Sequence, residues 1–167
     1  MKKRIQHPIA LRALLSRLKR ERARGKRIAF TNGCFDLLHV GHIQYLEKIK
    51  QQADCLVVGI NSDKSIRRLK GKGRPLVGQR QRAQVLGALT SVDYVTIFNT
   101  DTPLKLIQAI RPHLLAKGGD WKISQIVGAK EVKQRRGKVV RIRYLKGHST
   151  RQLIRKIAKS HGSSKRR

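Results

Sequence analysis

Between Thr31 and His42 the chain reads TNGCFDLLHVGH: two histidines three residues apart on either side of Gly41, with a second glycine, Gly33, ahead of them. Imidazoles at such a place serve as metal ligands, as a phosphate grip, or simply as partly buried rings at a helix start. Zinc-binding helices set histidines at i and i+4 with a glutamate between them. Here the spacing is i, i+3 and no third ligand of the usual type is near, so no metal held by the protein alone is expected. The phosphate reading accounts for more of the stretch. Residues three apart share a helix face, and the first turn of a helix offers free N–H groups and the positive end of the dipole. Gly41 lets a phosphate chain approach the backbone, and Gly33 lets the chain turn sharply off a strand. His39 and His42 would then donate hydrogen bonds to phosphates and stabilise charge developing on a leaving group.

Such a grip needs a strand before it and a helix after it. RIAFTN reads as a short strand, and the next helix starts near His39 with Ile43, Leu46 and Ile49 on one side. A helix over 8–24 precedes them, with Pro8 near its start and Gly25 as its stop. CLVVGIN is a continuous apolar strand of the kind buried on both faces. SDKSIRRLKGKGRP reads as a polar, glycine-rich loop region. There follow a helix in QRQRAQVLGALT, a strand in YVTIF, and a helix in TPLKLIQAI with Thr102 as N-cap and Pro103 at its first position. HLLAKG is a strand, GAKEVKQRRG a short helical piece, KVVRIRYL the last strand, and STRQLIRKIAK the last helix, opened by Ser149. Alternating strands and helices predict an α/β doubly wound parallel sheet in a single domain, with ligands beyond the carboxyl ends of the strands. The division expected is a helical extension over 1–26 packed on the domain, the domain itself over 27–159, and a basic disordered tail over 160–167.

The 167 residues suffice for one core, and an apolar content of 39% excludes a disordered composition. No run reaches the length of a membrane span, and the basic N-terminus lacks the h-region of a secretory signal. Cys34 and Cys55 form no C-x-x-C pair and read as reduced thiols of a cytoplasmic protein. The charge is extreme: 40 Lys+Arg against 9 Asp+Glu, net +31, with Glu131 the only acid after residue 122. That predicts attraction to polyanions. Yet aromatics are 4%, too few for a stacking platform, and no zinc-finger or RNP-like spacing is present, so no specific nucleic acid is expected.

GCFDLLHVGH resembles the G-x-F-D-x-x-H-x-G-H signature of the H-x-G-H nucleotidyltransferase superfamily, whose fold is Rossmann-like, and GHSTRQLI resembles its S-T motif at the last helix. Within that superfamily the chain is most similar to the heptose-1-phosphate adenylyltransferase module of bacterial ADP-heptose synthases. TNGCFDLLHVGH, GINSDKSIRRLKGKGRP, VLGALTSVDYV, DTPLKLI, AKGGDW and GAKEV carry the likeness, over about residues 10–157. The bifunctional members also contain a sugar kinase, for which these 167 residues leave no room, so the chain reads as the nucleotidyltransferase alone, and whether a separate sugar kinase works with it stays open.

The resemblance implies that ATP, with Mg²⁺ bound through its phosphates, lies over the start of the histidine helix while a sugar phosphate attacks the α-phosphorus in line. It implies triphosphate contacts from His39 and His42, a nucleotide-binding loop of Thr31, Asn32, Gly33, Cys34 and Phe35 followed by Gly41, and phosphate contacts from Gly147, Ser149, Thr150 and Arg151. Lys70, Lys72 and Arg82 match positions that grip substrate phosphates. Asp63, Lys117, Asp120 and Trp121 are implied around the sugar or ribose, and Asp36 is implied to fix the loop. Cys34 sits beside a helix N-terminus, but this reaction needs no nucleophilic sulfur. The chain departs from the family at Arg151, where a second threonine is usual, at Lys146 and His148, where acids are frequent, and at Gln81, where an acid precedes the helix arginine. Each change adds positive character. Two enzyme readings therefore stand, adenylyl transfer to heptose 1-phosphate and cytidylyl transfer to glycerol phosphate or another small polyol phosphate. A third, of another class, is a nucleic-acid-binding module on the same fold. Oligomeric state, including a homo-oligomer, stays open, as does docking of the basic surface on anionic membrane.

Overall fold

The computed structural model describes residues 7–119, 122–143 and 150–162. Five strands, β1 (Ile28–Gly33), β2 (Cys55–Asn61), β3 (Tyr94–Phe98), β4 (Leu114–Gly118) and β5 (Lys138–Ile142), form one sheet. Their order is β3-β2-β1-β4-β5 and every pairing is parallel. The helices are α1 (Leu11–Ala23), α2 (Val40–Lys50), α3 (Asp63–Lys70), α4 (Gln79–Ala88), α5 (Leu104–Ile110), α6 (Ala129–Gln134) and α7 (Thr150–Gly162), with a 3₁₀ turn over Ile123–Gln125.

Parallel strands need crossovers that cover both faces, so their residues are apolar without alternation. In β2 all seven residues are buried. Cys55 and Val57 face a core built with Leu14 and Leu18 of α1, Leu106, Ile107 and Ile110 of α5, and Val132 of α6. Leu56, Val58 and Ile60 face the other core, with Tyr45, Leu46 and Ile49 of α2 and Ala83 and Leu86 of α4. Gly59 is small for a reason of packing: a Cβ there would lie 2.9 Å from the Phe30 ring. The segment before α1 is tied to β3, since Ile9 N–H donates to Val95 O at 2.8 Å and Thr96 Oγ1 donates to Ile9 O at 2.9 Å.

Three local expectations are corrected. The polar stretch after β2 is helical over Asp63–Lys70: Ser62 caps it by accepting from Ser65 N–H at 3.0 Å, Asp63 favours its first turn, and Ile66 is buried. Pro103, rather than Thr102, occupies the N-cap of α5. The last helix continues through Gly162, past the expected boundary at residue 160. The expected opening of that helix at Ser149 lies outside the described residues.

The chain reverses its winding direction between β1 and β4, which makes their carboxyl ends the topological switch point. The two strands are paired only at Ala29–Leu114 and Phe30–Leu115. Beyond that they separate, and the gap between Asn32–Gly33 and Lys117–Gly118 opens the crevice.

Candidate active site

At the exit of β1 the chain bends through Phe35, whose φ of 45° is unusual for a residue with a side chain. The Phe35 ring folds back onto Gly33, where a Cβ would stand 3.0 Å from it. The same ring meets His42, with centroids 5.2 Å apart. His39 is the N-cap of α2, in extended conformation, and its ring stacks on that of His42 at 3.9 Å, tilted by 32°. His42 and Ile43 N–H donate to His39 O, so Val40 and Gly41 carry the first-turn N–H groups that have no acceptor within the helix.

His42 opens onto a chamber of about 180 Å³ that also presents Lys70, Thr150 and the Asn32–Asp36 loop, with His39 stacked on its ring. Burial, then the neighbouring His39 and Lys70, push His42 down to about 4, so its imidazole is neutral at physiological pH. Its Nδ1 is buried with no hydrogen-bond partner. Thr150, at the first position of α7, anchors that helix by donating to Leu37 O at 3.2 Å. Two helix N-termini therefore converge on one chamber.

A polar frame holds this loop. Asp36 accepts from Arg74 Nη1 at 2.6 Å, Leu76 N–H at 2.8 Å and Val77 N–H at 3.0 Å. Burial alone would raise its carboxyl, but the Val77 N–H, the Arg74 guanidinium and the Leu76 N–H outweigh it and leave the group below the usual carboxylate range. Arg82 is almost fully buried and donates inward to Val77 O, Cys34 O, Asn61 O and the Asp63 carboxylate. Pinning the Cys34 carbonyl turns the N–H of the same peptide, that of Phe35, the opposite way. Asp63 and Gln79 exchange bonds, Asp63 N–H to Gln79 Oε1 at 2.9 Å and Gln79 N–H to Asp63 Oδ2 at 3.1 Å, which locks the start of α3 to that of α4.

The geometry thus gathers His39, His42, Asn32, Gly33, Cys34, Phe35, Lys70 and Thr150 at one place and revises four expectations. Arg82 spends its donors on protein acceptors and holds the loop; it does not face the chamber as a phosphate grip. Asp63 is its partner and a helix anchor, so its carboxylate is not offered to a sugar or metal. Thr31 is fully buried behind the chamber, where its hydroxyl bonds Tyr45 OH at 2.7 Å. Lys72 is exposed and does not line the chamber. Lys117 belongs to the neighbouring hollow, where its Nζ lies 3.2 Å from Asn32 Oδ1. Gly147, Ser149, Asp120 and Trp121 lie outside the described residues, and Arg151 follows Thr150 in the first turn of α7. Tyr45 and Arg74 were not anticipated. Tyr45 stands three residues after His42, the same step that joins His42 to His39, which is a readable sign of a shared face.

A parallel sheet with a helix-terminus-lined chamber at its switch point is the architecture of a nucleotide-handling α/β domain. A family model described as cytidylyltransferase-like matches residues 30–162. The chain belongs to this family of nucleotidyltransferases. It is 53% identical over 142 residues to the bifunctional protein HldE of Geobacter sulfurreducens, covering 85% of this chain and 29% of that protein. With the bifunctional protein HldE of Pelobacter propionicus the identity is 52% over 140 residues, 84% of this chain and 29% of the relative. The chain therefore spans less than a third of these relatives. Among solved structures, the lipopolysaccharide core biosynthesis protein from Thermoplasma volcanium superposes with a TM-score of 0.60 at 27% identity, over 74% of this chain and all of that one.

Proposed function

We propose that this chain transfers AMP from ATP to D-glycero-β-D-manno-heptose 1-phosphate, releasing pyrophosphate and forming ADP-heptose, a precursor of the lipopolysaccharide inner core. The observation that carries this reading is His42 at the N-terminus of α2, stacked on His39 and in one chamber with Lys70 and the start of α7. The identity to bifunctional HldE proteins supports the choice of substrates.

The chemistry asked of the protein is modest. A phosphate oxygen of the acceptor attacks the α-phosphorus, the bond to the β-phosphate oxygen breaks, and pyrophosphate leaves with the electron pair. Catalysis is then positioning and charge stabilisation. His42, Lys70, the first-turn N–H groups of α2 and the start of α7 face the triphosphate. Among the described residues no three His, Cys, Asp or Glu side chains gather as a metal cage. Asp36 and Asp63 are already bonded to arginines. Magnesium would accompany ATP, bound through its phosphates, and would spread their charge. ATP supply makes the cytoplasm the site of action. A sugar kinase activity would make the acceptor.

The cytidylyltransferase-like match favours one second reading, CTP with a polyol phosphate. Pyrophosphate release measured in parallel with ATP and CTP, each with heptose 1-phosphate and with glycerol 3-phosphate, tests the proposal. Release confined to ATP with heptose 1-phosphate is expected. Release confined to CTP would replace the base, and no release with either would remove the proposal.

A further inference from the structure

The sheet has a second end, opposite the histidine chamber, where each strand is entered from the helix before it. β1, β4 and β5 are neighbours, so the loops 24–27, 111–113 and 135–137 lie side by side there. All three are basic. Arg24 and Arg27 stand in the first, Arg111 in the second, and Arg135 and Arg136 in the third, followed by Lys138 at the start of β5; all six are exposed. The acids nearby are already engaged. Glu21 pairs with Lys26 at 2.6 Å, Asp93 pairs with Lys50 at 2.6 Å, and Asp54 accepts the Arg27 N–H at 2.7 Å. Among the described residues none of the six cations makes an ion pair. The crowding is felt inside the protein as well. Burial and then Arg111 hold the Arg22 guanidinium below its ordinary range, and burial, then Arg22 and Arg27, lower the His113 imidazole.

Two of these arginines stand where the fold would favour another residue. The chain just past a helix often turns left-handed, a conformation that suits glycine. In the first loop Gly25 takes it, with φ of 72°. In the other two loops the same turn is made by Arg111, at φ 50° after α5, and by Arg136, at φ 58° after α6. A side chain in that conformation costs stability that glycine would not. Among the described residues the one other non-glycine with positive φ is Phe35, in the active-site loop. Strained backbone of this kind gathers at functional sites.

We propose that this end of the sheet binds the phosphate backbone of a nucleic acid, with Arg111 and Arg136 as its central contacts. Adjacent strands lie about 4.8 Å apart, so the three loops span about 10 Å. A nucleic-acid strand carries one charge per about 3.4 Å of axis, so about three phosphates face that span. The planar guanidinium matches a phosphate with two parallel hydrogen bonds. The loops hold no Phe, Trp or Tyr on which a base could stack, so the contact reads charge and not base sequence. A lipid surface suits them less, because no exposed large apolar side chain stands in these loops to enter it. The site is independent of the histidine chamber, which lies at the other end of the strands.

The test is fluorescence anisotropy with a short labelled DNA duplex of mixed sequence, over a range of salt. Wild type is compared with Arg111→Gly/Arg136→Gly and with Arg80→Ala/Lys105→Ala, which removes as many charges from exposed positions of α4 and α5. The glycine variant is expected to flatten the slope of log Kd against log salt by about two, one for each lost phosphate contact, while the alanine variant leaves the slope unchanged. The thermal midpoint of the glycine variant should rise, because glycine relaxes both left-handed turns. A His39→Ala/His42→Ala variant should bind the duplex as wild type does. Equal losses in the two charge variants, or no loss in either, would reduce the binding to bulk charge and overturn the assignment. A lower midpoint for the glycine variant would overturn it too, since the arginines would then serve the fold. Loss of duplex binding in the histidine variant would move the contact to the chamber. Phosphatidylserine vesicles that displace the duplex from wild type at equal phosphate concentration would put a membrane in place of nucleic acid.

Discussion

The rings of His39 and His42 stack at 3.9 Å, and that contact joins the N-cap of α2 to its third residue. Burial first, and then the neighbouring His39 and Lys70, keep the His42 imidazole neutral at physiological pH. A preorganised donor aimed at developing charge is worth about a hundred- to a thousandfold in rate. His42→Asn should lower kcat by that amount in initial-rate assays while thermal unfolding moves by only a few degrees. A loss below about tenfold would detach His42 from the chemistry.

Proton linkage follows from the same pair. The folded-state pKa of His42 is about 4, below the 6.5 of a free imidazole, so between these values the unfolded chain binds more protons. The apo protein should therefore lose stability as pH falls from 6.5 towards 4, and His42→Asn should lose less. Bound triphosphate favours the imidazolium and raises that pKa, so nucleotide binding takes up a proton in this window and tightens as pH falls. Calorimetric titration of ATP in buffers of different ionisation enthalpy reads the proton count; zero uptake at pH 5.5, in wild type and variant alike, would contradict the linkage.

Arg82 and Asp63 form the buried tie behind the loop, at 2.6 Å with the arginine side chain fully inside. Arg82→Met leaves Asp63, Cys34 O, Asn61 O and Val77 O without their donor, at a cost of about 3 kcal/mol or more. Arg82→Lys should recover little of it, because one ammonium cannot span the acceptors that the planar guanidinium reaches. Equilibrium denaturation in urea checks both variants. A Lys variant as stable as wild type would show that charge alone, rather than the fork geometry, holds the loop.

Asp36 makes a parallel case, and its contribution depends on pH. Its carboxyl is held low in the fold, so its stabilising contribution is present above the ordinary carboxylate pKa and disappears as pH drops through the folded value. Asp36→Asn keeps one acceptor oxygen but loses the Arg74 ion pair, and should cost about 2 kcal/mol at pH 7. The cost should shrink towards pH 3. Urea midpoints of the two proteins across that range provide the comparison; a gap independent of pH would mean that the charge of Asp36 is not what binds the 74–77 segment.

The sheet was legible because burial on both faces leaves a plain trace: IAF, CLVVGI and LLA are runs that no amphipathic element would carry. The start of α2 was legible from His39, Gly41 and His42 for the same reason that it works, namely that a helix N-terminus and its side chains are local in sequence. Helix α3 was missed because Asp63–Lys70 is mostly charged and runs into Gly71 and Gly73. Its readable signs were Ser62 as a cap and the three-residue step from Ile66 to Leu69. The inward turn of Arg82 was not legible at all, since among forty basic residues nothing in the sequence marks the one whose acceptors lie on two distant segments. The division into two hollows depends on where β1 and β4 part, a property of the sheet and of no single stretch.

The most direct test is to follow the label from [α-³²P]ATP into product with heptose 1-phosphate and magnesium, comparing wild type with a His39→Ala/His42→Ala variant. The account predicts a labelled species with the mass of ADP-heptose, formed one for one with pyrophosphate and lost in the variant. Label transfer that survives loss of both histidines would contradict the placement of the chemistry at the α2 N-terminus.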